Sequence, residues 1–250
     1  GYGMTETTAG ATLGHPGANR IGSVGKPLVG TELRIEDPDE DGNGEIQFRG
    51  RHVMAGYYKN PEATAETMTE DGWLKSGDLG KVDSDGFVYV TGRLKEIYVS
   101  SAGKNIAPLV VEETMKSIPV VSQCMLVGDN RKYCSALFTL DVGAILRDVH
   151  GLDGATEVPK DPAEQLAKLA ELGHDLSEYT AVGSDTYNQL QEAVIELNKK
   201  FSNPEQIKKF TVLPRDLGVD QGELTPTLKI RRKQIRENWA AEIEEMYADA

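Results

Sequence analysis

The first residues set an aromatic ring (Tyr2), a flexible glycine (Gly3), a hydroxyl (Thr5) and a carboxylate (Glu6) side by side. Such a set suits a nucleotide: a ring face for adenine, a hydroxyl for a phosphate oxygen, a carboxylate for Mg²⁺. Further on, Trp73-Leu74-Lys75-Ser76-Gly77-Asp78 places a carboxylate after a glycine, where Asp78 can accept two hydrogen bonds from ribose hydroxyls. Gly92-Arg93-Leu94-Lys95-Glu96 gathers charges that either contact a nucleotide or are simply solvated. Residues 222–229 form a polar loop that puts Lys229 just ahead of a helix. Taken alone, each has a plainer reading: a strand end, a turn aspartate, a solvated charge, a surface lysine.

The elements that must position these groups fall into two textures. Residues 20–93 read as short strands separated by turns. Thr31–Glu36 alternates with period two, and Glu45–Phe48 alternates again after an acidic, Gly-rich turn. Asn60-Pro61 should cap a short helix, and residues 83–86 should turn into a strand over residues 87–90. Strands so closely spaced predict a small barrel or sandwich. After Arg93 come a helix from Pro108 to Ile118, a β-hairpin over 120–140, helical patterning over 141–203 with Ser184 as a cap, a short strand at Phe210–Leu213 and an amphipathic helix over 232–248. The expected fold is α+β, with residues 1–93 a barrel-like β-rich part and residues 94–250 an α+β domain carrying a helical stretch at 141–203.

Composition narrows the partners. Of the 250 residues, 39 per cent are apolar and 27 per cent charged, an ordinary globular balance. A formal net charge of −13 repels phosphate backbones, which argues against a nucleic-acid or anionic-membrane binder. A nucleotide is held by a few placed groups, so it is not excluded. Cys124 and Cys134 sit in apolar runs and read as buried free thiols of a reducing, cytoplasmic setting. No apolar run approaches the about 20 residues of a membrane span. Residues 37–42 imitate the start of a calcium loop, but Phe48 stands where the bidentate carboxylate belongs, and a hairpin turn is expected instead. The chain opens directly on its first motif without an initiator methionine and is expected to be a piece of a longer protein.

In their order and spacing, Tyr-Gly-Met-Thr-Glu, Gly-Trp-Leu-Lys-Ser-Gly-Asp, Gly-Arg-Leu-Lys-Glu and Thr-Pro-Thr-Leu-Lys resemble the adenylate-forming superfamily of acyl-CoA synthetases, luciferases and peptide-synthetase adenylation domains. The resemblance covers residues 1 to about 140 and about 204 to 250. It implies that Tyr2 stacks on adenine, Thr5 touches the α-phosphate, Glu6 binds Mg²⁺, Asp78 holds the ribose and Arg93 reaches ribose or phosphate. It implies that Lys229 is the catalytic lysine and Lys95 the hinge of a small mobile C-terminal domain. The loop from Ser101 to Asn105, with Gly103 and Lys104, would help form the pantetheine tunnel for CoA. Leu228 departs from the family's usual glycine. The family's Ser/Thr/Gly-rich phosphate loop does not occur in these residues, so they are not expected to catalyse on their own. Residues 2–10, residues 101–108 and the stretch 141–203 look like long-chain or very-long-chain fatty acyl-CoA synthetases of the kind that includes the bubblegum type. The implied reaction joins a fatty acid to CoA through an acyl-AMP intermediate, with ATP and Mg²⁺. A fatty-acyl-AMP ligase and a non-catalytic AMP-binding module are the alternatives. Peripheral membrane contact would fall to the rest of such an enzyme.

Overall fold

A computed structural model describes residues 1–99 and 105–248. The chain divides into two units, Gly1–Ile97 and Tyr98–Ala250.

The first unit opens with a two-stranded antiparallel ribbon, β1 (Thr12–Leu13) and β2 (Lys26–Pro27). Then β3 (Thr31–Glu36), β4 (Gly44–Gly50), β5 (Leu74–Val82) and β6 (Val88–Arg93) pair antiparallel in sequence order. Aspartates make the tight turns. The Asp39 carboxylate accepts the backbone N–H groups of Asp41 and Asn43, so the imitation calcium loop is a hairpin turn. Asp83 does the same for Asp85 and Phe87. Between β4 and β5, Asn60 caps α1 (Pro61–Thr67) by accepting from Ala63 N at 3.1 Å. Ile46, Phe48, Leu74 and Val88 are fully buried, and each contributes about 1.5–3 kcal/mol by leaving water. The sheet stays open, with β3 and β6 as its edges. Four strands twisting by roughly 20–25° per pair do not bring one edge round to the other. The barrel-like expectation is thus corrected to an open antiparallel meander within the α+β fold.

The second unit begins with the short pair β7 (Tyr98–Val99) and β8 (Asn105–Ile106), followed by α2 (Pro108–Met115). The expected hairpin is β9 (Val121–Val127) with β10 (Cys134–Leu140). Four helices follow: α3 (Val142–Asp148), α4 (Pro162–Glu171), α5 (Ser177–Thr180) and α6 (Asp185–Asn198), the last capped by Ser184 Oγ accepting from Tyr187 N. The chain then returns as β11 (Ile207–Val212), parallel to β10. Every residue of β10 is buried because both sheet faces are covered. Cys124, Leu126, Ala136 and Phe138 join the core that includes residues of α2, α3 and α6. Met125, Val127 and Leu137 face the other way, toward Leu213, Ile235, Trp239 and Ile243. Both cysteines are free and buried.

The single helix expected over 232–248 is two, α7 (Arg232–Asn238) and α8 (Ala240–Glu245). They break at Trp239, whose φ of −117° and ψ of 31° lie outside the helix. At that position the indole N–H donates to the buried Glu223 carboxylate at 2.9 Å.

Candidate functional site

The opening motif is a tight, self-bonded turn. Tyr2 bridges Thr12, with N–H···O bonds of 3.1 and 3.0 Å in the two directions. Thr5–Thr7 forms one turn of 3-10 helix, and Thr7 Oγ1 accepts from Met4 N at 3.0 Å. Thr8 and Ala9 then take left-handed φ values of 53° and 74°. This folds Ala9 back onto Gly3 so closely that a Cβ at residue 3 would lie 1.9 Å from the Ala9 carbonyl oxygen. Only glycine fits there. The turn leaves Thr5 exposed and Glu6 half-buried.

Three of the residues singled out from the sequence meet at one carboxylate. Asp78 lies on β5 and is 7 % exposed. Its Oδ2 accepts from the Tyr2 hydroxyl at 2.5 Å and its Oδ1 from Arg93 Nε at 2.9 Å. The strand register makes the second contact, since Asp78 and Arg93 are directly opposed across β5 and β6. The Arg93 side chain stays mostly exposed. The Tyr2 ring packs on Phe48, centroids 5.8 Å apart and 24° from parallel. Burial, with the Asp78 carboxylate beside it, pushes the Tyr2 hydroxyl well above the ordinary tyrosine range. The phenol therefore stays protonated and able to donate. On the same sheet, the guanidinium groups of Arg34 and Arg49 lie 4.6 and 4.5 Å from the Trp73 ring.

Glu6 acquires a partner with no signal in the sequence. Tyr57, from the segment before α1, donates its hydroxyl to Glu6 Oε1 at 2.7 Å. That bond, burial and the carboxylate's charge raise the Tyr57 hydroxyl's pKa. Magnesium takes hard oxygen ligands, keeps several waters and is usually held by one or two carboxylates plus substrate phosphates. Among the described residues no three His, Cys, Asp or Glu side chains cluster as a metal site. One carboxylate on an accessible turn, beside the Thr5 hydroxyl, fits a cation that arrives with a phosphate chain.

Lys95 is exposed in the 3-10 turn Leu94–Glu96 at the end of the first unit. Gly103 and Lys104 lie outside the described residues. Lys229, exposed, belongs to the second unit, in a tight loop closed by Thr225 N donating to Lys229 O at 2.8 Å and Lys229 N to Thr225 Oγ1 at 3.1 Å. Leu228 in this loop has φ 60°, a left-handed conformation that glycine adopts without strain. The base of the loop is fastened by Glu223, whose side chain is fully buried. Arg215 grips both its carboxylate oxygens at 2.7 and 2.8 Å, and Asn238, Trp239 and the Gly218 N–H add further hydrogen bonds. Burial alone would raise this carboxyl; Arg215, Asn238 and Gly218 outweigh it and bring the pKa to about 2.

Comparison with known proteins places both ends of the chain in one family. Residues 1–58 match the AMP-binding enzyme family and residues 167–250 the AMP-binding enzyme C-terminal domain. Over those residues the chain belongs to the AMP-binding enzyme family. It is 40 % identical over 252 residues to long-chain-fatty-acid–CoA ligase ACSBG2 of Gallus gallus, covering 100 % of this chain and 33 % of that protein. It is 40 % identical over 247 residues to long-chain-fatty-acid–CoA ligase FadD15 of Mycobacterium tuberculosis, covering 99 % of this chain and 37 % of that protein. The chain thus spans about a third of the length of the curated relatives it matches. The adenylation domain of a carboxylate reductase from Mycobacterium chelonae shares the fold with a TM-score of 0.67 at 22 % identity, over 99 % of this chain and 34 % of that one. O-succinylbenzoate coenzyme A synthetase (MenE) from Bacillus subtilis, in complex with ATP and magnesium ion, gives 0.63 at 26 % identity, over 94 % of this chain and 40 % of that one. No helix among the described residues is long and apolar enough to cross a membrane.

Proposed function

We propose that the chain is the C-terminal part of a cytoplasmic, ATP-dependent long-chain fatty acid–CoA ligase. In the first half-reaction a fatty-acid carboxylate oxygen bonds to the α-phosphorus of ATP and the bond to pyrophosphate breaks. In the second, the CoA sulfur bonds to the acyl carbonyl carbon and AMP leaves. The supporting observation is the meeting of Tyr2, Asp78 and Arg93, drawn from three separate segments, at one buried carboxylate.

In this reading the Tyr2 face turned away from Phe48 stacks on adenine, and Asp78, already oriented by two donors, accepts the ribose hydroxyls. Arg93 reaches ribose or phosphate, and Thr5 donates to the α-phosphate. Glu6 is the carboxylate for Mg²⁺, which when bound neutralises phosphate charge. Lys229 bridges the attacking carboxylate and the α-phosphate, stabilising charge that grows during in-line attack. Lys95 is the hinge about which the second unit rotates between half-reactions, bringing the loop of Gly103 and Lys104 to CoA.

The test uses the full-length protein. With a long-chain fatty acid, ATP and Mg²⁺ it should form acyl-AMP and, on adding CoA, acyl-CoA. Asp78→Ala should weaken AMP binding about 100-fold, the scale for two lost charge-assisted hydrogen bonds. Acyl-AMP without acyl-CoA would instead define a fatty-acyl-AMP ligase. Unchanged AMP affinity in the variant would remove the reading of the cluster.

A further inference from the structure

The geometry points to Tyr57 as a positioning residue that orients the Glu6 carboxylate toward a divalent cation bound with a nucleoside triphosphate, an inference that rests on the reading of Glu6 given above. A glutamate on an accessible turn has several rotamers, and fixing it costs up to about 1.5–2 kcal/mol of side-chain entropy. Here that ordering precedes any ligand. The Tyr57 hydroxyl engages Oε1 at 2.7 Å, which leaves Oε2 for a cation or its waters. Ligating carboxylates commonly depend on such a partner, and removing it typically costs 10–100-fold in metal affinity or activity.

Tyr57 is itself held firmly enough to do this. Its backbone N–H donates to Thr64 Oγ1 at 2.9 Å, and that hydroxyl donates to the Asn60 carbonyl at 2.9 Å. Asn60 in turn caps α1. The backbone of Tyr57 is therefore fastened to the start of the helix, while its hydroxyl reaches the carboxylate. The same segment grips the motif turn twice more, through Met54 N to Glu6 O at 2.8 Å and Thr8 Oγ1 to His52 O at 2.8 Å. With the backbone fastened at those two points, the phenol's remaining effect is on the carboxylate's orientation. The neighbouring Tyr58 is 88 % exposed and makes no such contact.

Calorimetric titration of the full-length protein separates this role from mere stapling. ATP affinity is measured with Mg²⁺ and with EDTA, and AMP affinity alongside, for wild type, Tyr57→Phe, Tyr58→Phe and Glu6→Gln. The Mg²⁺-linked gain in ATP affinity should fall about tenfold or more in Tyr57→Phe. AMP affinity, metal-free ATP affinity and melting temperature should stay at wild-type values, and Tyr58→Phe should change nothing. An intact Mg²⁺-linked gain in Tyr57→Phe, with that gain lost in Glu6→Gln, would overturn the role of Tyr57 alone. Equal weakening of all three affinities in Tyr57→Phe would make the bond a structural staple and also overturn it. An unchanged gain in Glu6→Gln would remove the metal role of Glu6 and the inference with it.

Discussion

The hydroxyl of Tyr2 donates to Oδ2 of Asp78 at 2.5 Å across 76 residues of sequence. The group proposed to stack on adenine and the group proposed to hold the ribose are thereby one unit. Tyr2→Phe keeps the ring and its packing on Phe48 but frees Asp78 Oδ2. AMP affinity of the full-length protein should fall about three- to tenfold, the net scale of one ordinary intramolecular hydrogen bond. Calorimetric titration decides it: equal affinities would mean that the bond does not order the site.

Lys229→Ala in the full-length protein should slow adenylation by about 10²–10³-fold, as for the loss of one preorganised electrostatic contact. Thioester formation from pre-made acyl-AMP should stay nearly intact. Lys95→Pro should do the reverse, because proline fixes φ near −65° and restricts the residue before it, stiffening the exposed turn at Leu94–Glu96. Rates of the two half-reactions, measured separately, check both. Equal slowing of both halves by both variants would contradict the rotating-domain reading.

Leu228→Gly should stabilise the protein by up to about 1 kcal/mol. It relieves a side chain held at φ 60°, offset by the greater freedom of glycine in the unfolded chain. Leu228 is 65 % exposed, so little apolar burial is lost. The midpoint of urea unfolding reads the change, and a lower midpoint would mean that the side chain has a packing partner.

Glu223→Gln should cost about 1–3 kcal/mol at neutral pH, because the buried side chain loses its charge-assisted hydrogen bonds from Arg215, which is itself partly exposed. The folded pKa of about 2 lies below the ordinary 4.5, so this carboxylate's stabilisation is fully present above pH 4.5 and is lost as pH falls toward 2. Melting temperatures of wild type and variant should converge over that interval. A constant gap down to pH 3 would be inconsistent with an ionised, paired Glu223.

Local chemistry was readable in advance, and long-range pairing was not. Period-two alternation located β3, and capping residues located the starts of α1 and α6, because those signals lie within a few residues. The separate motifs named Tyr2, Asp78 and Arg93, but their meeting depends on strand register, which no single segment encodes. Tyr57 lies 51 residues from Glu6 and stands beside a second, identical side chain, so nothing local distinguished it. Glu223 looked like one acid in a polar loop until Arg215, Asn238 and Trp239 closed on it. The same convergence accounts for the break at Trp239 that amphipathic periodicity concealed.

The parallel pairing of β11 with β10 has a consequence for the order of events during folding. Residues 128–133 alone separate β9 from β10, whereas residues 141–206, with all of α3 to α6, separate β10 from β11. Closing a loop about eleven times longer costs roughly 2 kcal/mol more chain entropy. The hairpin is therefore expected to form before β11 docks, with the intervening helices shortening the gap that β11 must span.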